Sequence, residues 1–152
     1  DKKPKRIVKN VLSVAKQGVE RDRQTLMKEI AKRAADYSKE TIIIAFSPNN
    51  IYYTGIANLF TQPEFKEYGL LREVSSIIDH LDRGIEQLFD EVDSDVKVLV
   101  GKENPLGRGC SVVFAAGEII PNQRSIFCLL GPMRMDYEKN VALVEYVHRL
   151  LL

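Results

Sequence analysis

Val96-Lys97-Val98-Leu99-Val100, Cys110-Ser111-Val112-Val113-Phe114-Ala115-Ala116 and Ser125-Ile126-Phe127-Cys128-Leu129-Leu130 are three largely apolar runs. The text between them is rich in Gly, Pro and Asn, the residues that make turns. Each run reads as a strand. A parallel pairing needs a crossover of a dozen or more residues, usually a helix. These connections have no room for one, so the three strands are expected to pair antiparallel.

Outward from this sheet the helices follow. Beyond it, Asp136 is a natural N-cap for a helix from Tyr137, with Val141, Val144, Val147, Leu150 and Leu151 as its apolar stripe. Before it, Leu71, Val74, Ile77, Ile78, Leu81, Ile85, Leu88, Phe89 and Val92 predict one amphipathic helix over 70–92. Thr61-Gln62-Pro63-Glu64 has the spacing of a capping box and predicts a helix start at Thr61. Thr41-Ile42-Ile43-Ile44-Ala45-Phe46 is almost continuously apolar and suits a central strand covered on both faces. Ile51-Tyr52-Tyr53-Thr54 adds another strand. Residues 6–38 read as a long helix with Gly18 as a bend. The fold class is therefore α+β, with a mostly antiparallel sheet and helices packed on it. The domain division predicted is a helical extension over 1–40 and a regulatory domain over 41–152.

The chain has 152 residues and a net charge of +1. Residues 1–40 hold twelve Lys/Arg and six Asp/Glu, leaving ten and fifteen for residues 41–152. A basic arm that touches nucleic acid and a merely solvated helix both fit that imbalance. No apolar run reaches the roughly 18 residues of a membrane span, and no secretory signal is visible, so a cytoplasmic protein without a membrane partner is expected. Two cysteines are too few for a disulfide framework, and Cys110 and Cys128 are expected as buried free thiols. The chain begins with Asp1, which is expected of a piece of a longer product or a processed form.

No reaction emerges from the residues. His80 and His148 lie on predicted helices without ligands at metal spacing. Cys110-Ser111 has no nucleophile elbow around it. The stretch 101–109 is either a plain turn or a Gly-rich loop whose N–H groups face an anion. Arg134 is either paired with Glu103 or a surface cation beside an apolar contact. Catalytic residues, metal ligands and cofactors are none.

Four blocks carry a resemblance. They are Gly55-Ile56-Ala57-Asn58-Leu59-Phe60-Thr61-Gln62-Pro63-Glu64-Phe65, Val100-Gly101-Lys102-Glu103-Asn104, Cys110-Ser111-Val112-Val113 and Gly131-Pro132-Met133-Arg134-Met135-Asp136-Tyr137. In this order and spacing the chain resembles the heat-inducible transcription repressor family known as HrcA, with Met133 where that family usually has Thr. The resemblance covers residues 51–152. It implies a GAF-like regulatory domain with a dimerising domain inserted into it, to which the helical extension over 1–40 could belong. It further implies repression of chaperone operons through an inverted-repeat operator, read by an N-terminal winged helix that residues 1–40 do not resemble, and a chaperonin as co-regulator. Gly55, Asn58, Pro63, Glu64, Phe65, Gly101, Glu103, Asn104, Cys110, Ser111, Gly131, Pro132, Arg134, Met135, Asp136 and Tyr137 then become architectural signature residues, with no catalytic role. The alternative is a stand-alone GAF-like sensor of a small molecule or a protein-interaction module.

Overall fold

The computed structural model describes residues 23–63 and 68–152, with positions 5, 6 and 9 also in helix. Helix α1 (Arg23–Ser38) leads into β1 (Thr41–Ser47) and β2 (Asn50–Thr54). A short α2 (Ala57–Thr61) follows, then α3 (Tyr68–Asp79), α4 (Leu81–Glu91), β3 (Lys97–Val100) and a 3-10 turn over Gly101–Glu103. The chain continues through β4 (Cys110–Gly117), β5 (Ser125–Pro132) and α5 (Tyr137–Leu151).

The five strands form one sheet in the order β2-β1-β5-β4-β3, every pair antiparallel. Side chains of a strand alternate between faces, and both faces of this sheet are covered. Ile42, Ile44 and Phe46 point to one side, with Val113, Ala115, Phe127 and Leu129, and pack under α1 and α5. Ile43 and Ala45 point to the other, with Val112, Phe114, Ile126 and Cys128, and pack under α3 and α4. Two covered faces explain why β1 carries an unbroken apolar run rather than an alternating one. The architecture is α+β and GAF-like, with helical layers on either side of an antiparallel sheet.

Arg23 ties α1 to the far end of the molecule. Its Nε donates to the Ile119 carbonyl at 3.0 Å and its Nη2 to the Leu151 carbonyl at 2.8 Å. At its other end, α1 stops at Lys39, which takes a left-handed φ of 60°. Asp136 caps α5 as expected, accepting from the Lys139 backbone N–H at 3.1 Å.

Two expectations about helices need correction. The single helix over 70–92 is broken at His80 (φ −116°, ψ 22°), which separates α3 from α4. The apolar stripe runs through the break because both helices bury the same side on the same sheet, so periodicity does not register it. Thr61 itself ends α2, its hydroxyl donating backward to the Asn58 carbonyl at 2.9 Å; the chain is helical again at Pro63, in a 3-10 turn, and Glu64 of the expected capping box lies outside the described residues. A threonine with the right text around it cannot cap a helix start when the residues before it are already helical. The remainder of the helix predicted over 6–38, Gly18 included, lies outside the described residues, as do Glu64 and Phe65. Among the described residues no helix is long and apolar enough to cross a membrane.

Candidate functional site

The antiparallel register brings the four signature blocks together. Thr41 lies opposite Leu130 and Ile42 opposite Thr54. Cys110 lies opposite Pro132, and Val100 opposite Ser111. The end of β2, the start of β4 and the ends of β3 and β5 therefore share one end of the sheet. The strand ends at this end, and the loops and helix starts that leave it, hold the described signature residues.

One corner is built around Glu40, which is 6% exposed. Ser38 Oγ accepts from the Glu40 N–H at 3.2 Å, and Asn58 Nδ2 donates to the Glu40 carbonyl at 2.8 Å and the Ala35 carbonyl at 3.4 Å. Gly55 turns beside it with φ +79°, and a Cβ there would meet Ala35 Cβ at 2.8 Å and the Glu40 carbonyl at 2.9 Å. Glycine is the residue that tolerates both the angle and the approach. The Glu40 carboxylate itself lies over Gly131, with Met135 Sδ beside it and Gln62 Nε2 3.5 Å from Oε1. Nothing in the sequence singled out Glu40. The available signal was a carboxylate immediately before a strand whose centre, Ile42 to Phe46, is wholly apolar.

A second corner joins β3, β4 and α5. The Tyr137 hydroxyl donates to the Met133 carbonyl at 2.5 Å and lies 2.8 Å from Ser111 Oγ. Gly101, with φ +61°, has Met133 Sδ against it. Asn104 is buried, and its Oδ1 accepts from the Leu106 N–H at 3.0 Å. Pro63 is exposed and Pro132 is buried at the end of β5.

The Gly-rich loop faces an anion, but an internal one. The Glu73 carboxylate accepts from the Gly109 N–H, and a Cβ at Gly107 would meet Ile77 Cδ1 at 2.7 Å. Glu73 and Ile77 sit one turn apart on α3 and seat in two glycines of the loop. The ion pair of Arg134 with Glu103 is not formed. Both side chains are exposed, and Arg134 is the surface cation of the two readings.

The chemistry of the cysteines follows from their setting. Burial, then the nearby Glu73 and Glu40 charges, push the Cys110 thiol up to about 12. Burial pushes the Cys128 thiol up as well. Both are free and protonated at neutral pH, whereas a nucleophile needs the thiolate. His80 is exposed and its Nδ1 lies 3.0 Å from the Ser76 carbonyl, and His148 borders the α5 stripe. Among the described residues no three His, Cys, Asp or Glu side chains are grouped to hold a metal ion. An open groove of about 510 Å³ lies at the opposite end of the sheet, lined in part by Asp93, Glu118 and Arg124.

The model of the HrcA protein C terminal domain matches residues 4–141. The heat-inducible transcription repressor HrcA of Listeria welshimeri is 30% identical over 105 residues, which are 68% of this chain and 30% of that protein. The repressor of the same name from Carboxydothermus hydrogenoformans is 33% identical over 105 residues, again 68% of this chain and 30% of that protein. The matched span is thus 30% of the length of these curated relatives. A solved structure titled a hypothetical protein superposes with a TM-score of 0.69 over 95% of this chain and 75% of its own, at 10% identity. That likeness is one of fold alone.

Proposed function

We propose a role from the premise that this chain belongs to the HrcA C-terminal domain family: it is the regulatory and dimerisation part of a repressor of heat-shock chaperone operons. The observation that carries this reading is the family match over residues 4–141. The convergence of the four blocks on one end of the sheet supports it. A residue set whose work is to brace loops and helix starts suits a domain that transmits a conformational state, and no reacting group has to be added.

On this reading the DNA is an inverted-repeat operator, and a winged helix elsewhere in the longer protein reads it. Two half-sites related by a two-fold axis call for a two-fold dimer. Residues 41–152 carry ten Lys/Arg against fifteen Asp/Glu, so this body repels phosphate rather than attracting it. Its contribution is to pair two heads at the half-site spacing. The cytoplasm is the compartment, and a chaperonin is the co-regulator that senses unfolded protein.

The test is dominance. The chain is mixed with the full-length protein and labelled inverted-repeat DNA from a chaperone operon, and sedimentation follows the protein. The chain alone should dimerise without binding the DNA. Mixed dimers with a single head should bind at least about tenfold more weakly, because one half-site's phosphate and base contacts are lost. A chain that stays monomeric at every concentration and leaves the full-length complex untouched would sink the proposal.

A further inference from the structure

We infer that Met133 is a site of reversible oxidation by hydroperoxides. The inference stands on the distribution of sulfur in the fold and does not depend on the repressor reading. The chain holds three methionines and two cysteines. Four of these residues are shut away: Met27 is 1% exposed, Met135 7%, and Cys110 and Cys128 0%. Met133 is 47% exposed.

Their settings sharpen the contrast. Met27, on α1, is packed into the core cluster that the sheet and α5 share. Met135 Sδ faces inward and receives the Asn140 amide at 3.3 Å. The cysteine thiols are buried and hold their protons, and a peroxide attacks the thiolate. A thioether needs no deprotonation, so its rate follows access to the sulfur lone pairs. At Met133 one side of the sulfur rests on Gly101, close to where a Cβ would stand, at 3.1 Å. The residue as a whole is nearly half exposed, which gives a peroxide a way in that it lacks at Met27 and Met135. The Tyr137 hydroxyl holds the Met133 carbonyl, so the backbone presents the side chain at a fixed corner.

The step is balanced by the oxidant. A sulfur lone pair attacks one peroxide oxygen and the O–O bond breaks. The second oxygen keeps its own substituent and takes the proton of the transferred oxygen, leaving as water from hydrogen peroxide or as an alcohol from an alkyl hydroperoxide, and the thioether becomes a sulfoxide, oxidised by two electrons. The new oxygen is added at an exposed residue and need not displace a buried side chain. The fold is therefore retained and the surface changes. Val98 and Val100 are exposed at the sheet edge, 38% and 42%, and Val100 directly precedes Gly101. Oxidation places a strong dipole beside that apolar strip.

Hydrogen peroxide at neutral pH, followed by quenching and peptide mass spectrometry, tests this on the chain as it stands. Met133 should gain its oxygen roughly tenfold faster than Met27 and Met135, in line with exposure governing susceptibility. In urea the three rates should converge. Methionine sulfoxide reductases A and B together should restore the native mass. Met133→Leu should abolish the fast phase while leaving the unfolding midpoint in place. Equal rates in the folded chain, a fast phase that survives in Met133→Leu, or selectivity that persists in urea would each overturn the assignment.

Discussion

The carboxylate of Glu40 fills the space that a side chain at Gly131 would need. Glu40 comes from the turn between α1 and β1, and Gly131 from the end of β5, so the contact keys two segments distant in sequence. Gly131→Ala should push Glu40 out of its seat. Overpacking of this kind costs about 1–3 kcal/mol, read as a lower urea midpoint with an unchanged slope. A midpoint equal to wild type would show that Glu40 swings clear without cost and that the two residues are not keyed.

Asn58 holds the same corner from the other side by donating to the Glu40 and Ala35 carbonyls. Asn58→Ala leaves those carbonyls without their donor and should cost about 1–2 kcal/mol. Asn58→Asp should be no better, because a carboxylate cannot donate. Thermal unfolding of the two variants checks this. A wild-type midpoint for Asn58→Asp would mean that shape rather than donation matters here.

Glu73 is the anion of the Gly-rich loop. Glu73→Ala should lower stability by about 1–2 kcal/mol, the scale of a charge-assisted hydrogen bond discounted for partial exposure. Glu73→Gln, which keeps an acceptor, should recover part of that loss. Should alanine and glutamine behave identically in chemical denaturation, the N–H bond is not what seats α3 on the loop.

The thiols give a pH test with a definite sign. The Cys110 thiol is raised from 9.0 to about 12, chiefly by burial. A raised folded value means that its contribution to stability is complete below the ordinary thiol value and is lost as the pH rises through about 12. At pH 8 the folded chain should therefore react with iodoacetamide only as fast as it opens, and urea should accelerate labelling steeply. Prompt labelling of Cys110 in the folded chain would contradict the burial that raises it.

Much of the fold is legible because it is written in local periods. The unbroken apolar run of β1 announces a strand covered on both faces. The short connections between β3, β4 and β5 leave antiparallel pairing as their way to meet. Asp136 before an apolar helical stripe marks the start of α5, and its hydrogen bond to Lys139 bears that out. The break at His80 was not legible, since both halves of the stripe face the same sheet. Thr61 does not itself cap because it already ends α2, although the chain is helical again at Pro63.

What the chain determined by itself was the alternation of apolar and polar residues, the turn chemistry and the caps. Those depend on a few residues and on backbone geometry. Which distant groups meet was decided only in three dimensions. Glu73 in the loop of Gly109, Glu40 over Gly131, Arg23 on Ile119 and Leu151, and Arg134 turned to solvent all depend on strand order and register. A carboxylate or a guanidinium carries no mark of its partner in its own sequence neighbourhood, because the burial and distances that set its interaction exist only once the sheet has closed.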